Sequence, residues 1–346
     1  MGEWNMSNFG SKKYIGVDLG AWYSKKTKIA VLELEEDNEK KSKLKLVELI
    51  SETSLPKNST SESWDKGNIY RKNELLVNYL KDKGNSDALI GIDCPFAIPK
   101  YLTNRLSLHE YKKYKNGKFY FPENMGKDKN GKKISEEKKQ ELKDKRELLN
   151  PVIFDNSARF VYEKTNQIVL APAGDKIGKM TARMLKIVEI HKRDLNIIQE
   201  LKTFEQFKRN TQNKITTIEV FPTATIFQIA KSKKIIGIYF KTKMKDKKTY
   251  TEEFDKNKKL IVQSYKGDNW NGKTTVKSQK RRMLNLINPY ITNLKDWESR
   301  IKTDDEYDAI ICALTTYFVD TNGYEEPDRN DFAKFTNSFI YIPKIK

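Results

Sequence analysis

The stretch LIGIDCPFAIP, residues 89–99, decides how the chain is to be read. Its first five residues are a short apolar run ending in Asp93, with Cys94 and Pro95 directly behind. A run of that length, closed by proline, reads as a buried strand. An ionised carboxylate at the tip of a buried strand is costly to desolvate unless something pairs with it. A turn that opens on Asp is one explanation. A carboxylate aimed into a site is the other.

Upstream, KYIGVDLG (13–20) is a second apolar run that ends in an aspartate, Asp18. TKIAVLELE (27–35) alternates as a half-buried strand does, and LKLVELI (44–50) follows as a third strand after a charged turn. A polar loop rich in Ser and Thr (51–63) leads into RKNELLVNYLKDKG (71–84), a helix stopped by glycine. The run 89–93 is then the fourth strand. Residues 96–214 read as a mostly helical insertion, with the charged run 136–149 and a helix predicted over 179–201. KITTIEVFP (214–222) is the fifth strand, TATIFQIA behind it reads as helical, and DEYDAIICALTTYFVD (305–320) is an amphipathic helix. No repeat and no clean linker divides residues 1–346, so a single domain is expected.

Charge adds a second theme. The chain has 346 residues, with 66 Lys and Arg against 47 Asp and Glu, a net charge of +19. Residues 111–150 carry +6 of this and residues 231–282 carry +12, so the rest is nearly neutral. A basic segment on a balanced scaffold points to a polyanion, most often nucleic acid; the plainer explanation is a set of solvated lysine-rich loops. Lys277, Lys280, Arg281 and Arg282 close the second segment and are candidate phosphate contacts. That Lys-rich insertion, which also holds the strand-like IIGIYF (235–240), reads as a substrate-binding elaboration, a docking surface for a protein partner or a disordered loop. Trp270 and Tyr265 within it are placed either to stack unpaired bases or to pack a hairpin tip.

The two cysteines, Cys94 and Cys312, both lie in apolar runs, which argues against a disulfide framework and fits a reducing compartment. The N-terminus lacks the apolar core of a signal peptide, and no run reaches membrane-spanning length. A soluble, cytoplasmic protein without a membrane role is expected. No Cys/His spacing suits zinc, and no GxSxG elbow supports a serine hydrolase.

In an open sheet ordered 3-2-1-4-5, strands 1 and 4 are neighbours, and their C-terminal ends set Asp18 beside Asp93, where such sheets keep their sites. Glu219 lies in the fifth strand, and Asp305 and Asp308 open the last helix, on one face. Gathered carboxylates repel unless a cation neutralises them, and hard divalent ions such as Mg²⁺ take oxygen ligands of this kind. Two such ions about 4 Å apart clamp the attacking and leaving oxygens of a phosphodiester. Thr303-x-x-Glu306 also matches a capping box, which accounts for acids in the first turn but less well for Asp308.

IGVDLG, GIDCPFAIP, IEVFP and DEYDAIICAL, in this order, resemble the blocks of an uncharacterised family of predicted RNase H-like nucleases. The last block also resembles the metal-binding helix of RuvC-type resolvases. The resemblance covers about half of the chain as islands. It implies an RNase H-like α/β fold: a mixed five-stranded sheet, order 3-2-1-4-5 with strand 2 antiparallel, helices on both faces and large insertions. It implies a nuclease that hydrolyses phosphodiester bonds with Mg²⁺ or Mn²⁺, two ions being expected. Asp18, Asp93 and Asp308 are then the core ligands, Glu219 completes or orients the shell, and Asp305 is a secondary ligand. Arg159 and Arg183 match an arginine block that would bind phosphate, or else make structural salt bridges. Two other readings stand beside this one. IGVDLG also opens actin-like and sugar-kinase-like ATPases, for which APAGDKIGK (171–179) is a thin second phosphate loop. The third is a catalytically silent scaffold that binds nucleic acid or a partner.

Overall fold

A computed structural model describes residues 12–21, 26–35, 43–55, 69–84, 87–98, 135–137, 156–165, 167, 169, 175–212, 214–233, 270, 279–335 and 338–345. Six strands form one mixed sheet: β1 (Lys13–Asp18), β2 (Lys28–Glu35), β3 (Lys43–Ser51), β4 (Ala88–Asp93), β5 (Ile215–Val220) and β6 (Ile340–Tyr341). Their order is β3-β2-β1-β4-β5-β6. β2 is antiparallel to both neighbours, while β1, β4, β5 and β6 run parallel. The expected five-strand order and the antiparallel β2 are therefore present, and a sixth strand extends the edge. That strand is only two residues long, held by Glu219 and Val220 of β5, and its partner lies far away in sequence.

Eight helices lie among the described residues: α1 (Ile69–Gly84), α2 (Asn156–Thr165), α3 (Asp175–His191), α4 (Phe204–Thr211), α5 (Pro222–Ser232), α6 (Gln279–Ile287), α7 (Leu294–Trp297) and α8 (Asp304–Asn322). The central strands are buried on both faces, as parallel strands between helical layers must be. Alternation then sorts their side chains into two cores. Tyr14, Ala30, Leu32, Leu89 and Ile218 pack on the side of α8, with Ala309, Cys312 and Ala313. Ile15, Val17, Ile29, Val31, Ile90 and Ile92 pack on the other, with Leu76 and Leu80 of α1 and Met184 and Ile187 of α3.

The helix predicted over 179–201 ends at His191 instead. Asn196 takes a positive φ of 42°, a conformation asparagine tolerates, and its side chain donates to Asn210 O and Thr216 Oγ1. The chain then bridges in parallel to β5 through Ile197 and Thr217. Backbone pairing with the sheet thus outcompetes continued helix. The strand-like run 235–240, Tyr265 and Lys277 lie outside the described residues. No described helix is long and apolar enough to cross a membrane.

Candidate functional site

Two strands carry the same triplet spacing, Gly16-Val17-Asp18 and Gly91-Ile92-Asp93, and the fold uses both alike. The parallel register matches Gly16 with Gly91 and Asp18 with Asp93. Register partners on neighbouring strands lie about 4.8 Å apart and point to the same face. Asp18 and Asp93 are thus side by side at the carboxyl ends of β1 and β4, on the face that α8 covers. Two carboxylates about 5 Å apart repel by about 3 kcal/mol at an effective dielectric of 20, which favours a positive group near them.

The glycines let α8 come down onto the sheet. A Cβ on Gly16 would collide with Ala309 O and Ala313 N and meet Cys312 Cβ at 2.9 Å. One on Gly91 would meet Thr316 Cγ2 at 2.7 Å and Cys312 O at 2.9 Å. Cys312 therefore lies over the seam between the two strands. Near their other end, Tyr14 donates to Asp320 at 2.9 Å, so α8 runs antiparallel to β1. Two strand residues advance about as far as one helical turn. One turn back from Cys312 and Ala309, on the same face of α8, stand Asp308 and Asp305. Asp308 is buried at 2% exposure; Asp305 is half-buried.

The start of α8 is fixed by Glu306. Its Oε2 accepts from Lys302 N (2.8 Å), Thr303 N (2.7 Å) and Thr303 Oγ1 (2.9 Å), and its Oε1 accepts from Lys28 Nζ at 2.9 Å. The capping role read from Thr303-x-x-Glu306 is present, and it does not involve Asp308.

Glu219 departs from the expected cluster. It is in register with Ile92 rather than Asp93, so alternation turns it to the opposite face. There its Oε2 accepts from Phe96 N (3.1 Å) and Ser338 Oγ (2.8 Å), tying the segment after β4 to the approach to β6. Cys94 lies in the same neighbourhood. Burial pushes its thiol well up, and Glu219, Asp93 and Asp18 push the same way, so it packs rather than reacts.

The basic candidates separate. Arg183 is fully buried in a salt bridge with Glu52, the structural one of its two expected roles, so its place among the phosphate contacts is corrected. Its Nε donates to Asn73 Oδ1 (2.9 Å), and its Nη1 to Gly20 O (3.0 Å), Thr27 Oγ1 (3.0 Å) and Glu52 Oε2 (3.1 Å). Nη2 pairs with Glu52 Oε1. The guanidinium is spent on closing the neck of the loop that follows Asp18. Arg159 is exposed on α2, two residues after Ser157, whose hydroxyl donates to Ser338 O at 2.6 Å. Lys280, Arg281 and Arg282 sit at the start of α6; Lys280 donates to Glu298 O (2.7 Å), and both arginines are exposed. Trp270 does not offer a stacking platform. It is 1% exposed against Tyr307, ring centroids 5.2 Å apart, which roots that point of the basic insertion beside the residue before Asp308.

Among the described residues no group of three or more His, Cys, Asp or Glu side chains is arranged to hold a metal ion. Mg²⁺ keeps most of its water and takes one or two carboxylates. The in-register Asp18–Asp93 pair fits that demand, with Asp308 on the facing helix.

No family model, no curated protein and no solved structure matches this chain. Sequence reasoning missed Lys28 and Glu52. Lys28 left a usable sign, since a lysine opening the strand opposite Asp18 must stand beside it in an antiparallel pair.

Proposed function

We propose that this chain is a metal-dependent nuclease with an RNase H-like fold, hydrolysing phosphodiester bonds of nucleic acid. One observation carries the reading: Asp18 and Asp93 stand in register at the carboxyl ends of parallel strands, beneath the helix whose sequence carries Asp308. In this reading Asp18 and Asp93 hold a Mg²⁺ or Mn²⁺, and Asp305 and Asp308 face it from α8. A divalent ion bound there supplies positive charge to a phosphate oxygen. Asp308, screened from bulk water, orients the attacking water by accepting its hydrogen bond. Glu219 keeps the segment after Asp93 in place through the Phe96 N–H rather than joining the metal shell. Arg159, Arg281 and Arg282 attract the phosphate backbone, and the basic segments add sequence-independent affinity.

The ATPase reading draws less support. The Gly20 N–H of the Asp-Leu-Gly turn, the group that would meet a phosphate, donates to Thr27 Oγ1 at 3.1 Å. Asp175–Lys179 of the candidate second loop belong to α3.

Purified protein incubated with labelled single-stranded, duplex and hybrid substrates, in Mg²⁺, Mn²⁺ or EDTA, tests the proposal. Metal-dependent cutting abolished in both Asp18→Asn and Asp93→Asn, with binding retained, is expected. Cutting retained in Asp93→Asn overturns the site. Salt-sensitive binding without cutting favours a scaffold, and neither activity turns attention to ATP turnover.

A further inference from the structure

We infer that the Lys28–Glu306 ion pair is the clasp that sets the gap between the helix acids Asp305 and Asp308 and the strand acids Asp18 and Asp93. Lys28 is then a positioning residue of the proposed site, and the inference rests on that reading for its functional half.

Register supplies the first observation. Lys28 pairs with Asp18 across the antiparallel β1–β2 ladder, and Asp18 pairs with Asp93 across the parallel β1–β4 ladder. Lys28 alternates with Ala30 and Leu32, which pack in the core under α8. Lys28, Asp18 and Asp93 therefore form one row across three strands on one face. The second observation is the contact itself. Lys28 Nζ reaches Glu306 Oε1 at 2.9 Å, the two side chains being only 17% and 13% exposed. Among the described residues Glu306 is the one hydrogen-bond partner of that ammonium.

Glu306 cannot drift, because its other oxygen is held by three donors from Lys302 and Thr303. One oxygen thus fixes the entry of α8 and the other ties that entry to the row of strand acids. Asp305 precedes Glu306 and Asp308 follows two residues later, so the first two turns of a helix fixed at Glu306 carry both at a height Lys28 determines.

The same helix carries a matching ion pair at its far end, where Lys208 Nζ reaches Asp320 Oδ1 at 2.7 Å. Loss of that pair loosens α8 without touching the row of acids, which makes Lys208→Met the control.

The test uses the full chain as wild type, Lys28→Met, Lys28→Arg and Lys208→Met. Amide hydrogen exchange at Asp308, Ala309 and Ile310 is measured without metal, and Mn²⁺ affinity by electron paramagnetic resonance. Lys28→Met is expected to speed exchange of those amides and to weaken Mn²⁺ binding by about tenfold, the size typical of lost outer contacts to a metal site. Lys28→Arg restores both, and Lys208→Met changes neither. Unchanged exchange in Lys28→Met overturns the clasp, and so does an equal loss of Mn²⁺ affinity in Lys208→Met. Absence of Mn²⁺ uptake by the wild type overturns the metal reading alone, and the exchange rates still decide the clasp.

Discussion

Arg183 is the residue whose environment departs most from what its chemistry suggests. A fully buried guanidinium bonded to Glu52, Asn73, Thr27 and Gly20 O is expensive, because desolvating two charges offsets much of their attraction. Removing one partner strands the other. Arg183→Met is therefore expected to cost about 3–5 kcal/mol in urea unfolding. The double variant Arg183→Met with Glu52→Met recovers the share due to the stranded carboxylate, but not the share from acceptors on Asn73 and Gly20 left without a donor. A double variant no more stable than the single one contradicts that partition. Arg183→Lys rescues little, since one ammonium cannot span five acceptor oxygens on four residues. The buried position was legible in principle. Arg183 lies on the apolar stripe of KMTARMLKI, three residues after Met180 and four before Ile187, yet Glu52 is 131 residues away and nothing local announces it.

At the scale of the element, α8 and the two Gly-x-Asp strands form one device. Glycine admits the helix, and the aspartate two residues on emerges on the same face past the crossing. Gly16→Ala places a methyl against helix backbone, which cannot swing aside, whereas Gly91→Ala first meets the end of the Thr316 side chain. Both are expected to destabilise by about 1–3 kcal/mol in thermal or urea unfolding, with Gly16→Ala the worse. Equal or reversed costs contradict the crossing geometry. This device was readable as repeated spacing within local apolar runs, which is why β1, β4 and the strand-end positions of Asp18 and Asp93 followed from sequence. What failed depends on remote partners: β6 exists only because β5 offers an edge, and the turn at Asn196 ends α3 by pairing with Thr217. Glu219 stands in register with Ile92, one residue short of Asp93, enough to move a strand side chain to the other face. The far end of α8 gives a pH prediction. Burial opposes ionisation of Asp320, but Lys12, Lys208 and Tyr14 outweigh it and hold its carboxyl below the usual range. A group depressed in the folded state adds stability above its unfolded value of about 3.9 and loses it on acidification through the folded one. Asp320→Asn is expected to flatten the fall in urea stability below about pH 4, at the expense of stability at neutral pH. An unchanged acid limb rules the group out as its cause.

For the whole molecule, the division of charge makes the sharpest demand. Of the net +19, segments 111–150 and 231–282 hold +18, so the sheet and its helices form a nearly neutral frame carrying a basic attachment. The attachment meets the frame at Trp270, packed on Tyr307 next to Asp308, and again at α6 with its exposed Arg281 and Arg282. On the proposed reading, phosphates are drawn to the side of the frame where the acids stand, and affinity comes from counterion release rather than base contacts. The affinity of the cleavage-deficient Asp93→Asn for a labelled single strand should then fall steeply as salt rises, with little dependence on sequence. Each phosphate contact adds about 0.7 to the slope of log affinity against log salt for single strands, so Arg281→Ser with Arg282→Ser should lower that slope by about 1.4 if both arginines touch backbone. The acids must be indifferent to this change: the double serine variant keeps its cutting rate at saturating substrate and loses only affinity. A slope unaffected by the two substitutions removes α6 from the binding surface, and affinity independent of salt removes nucleic acid as the partner of the basic attachment.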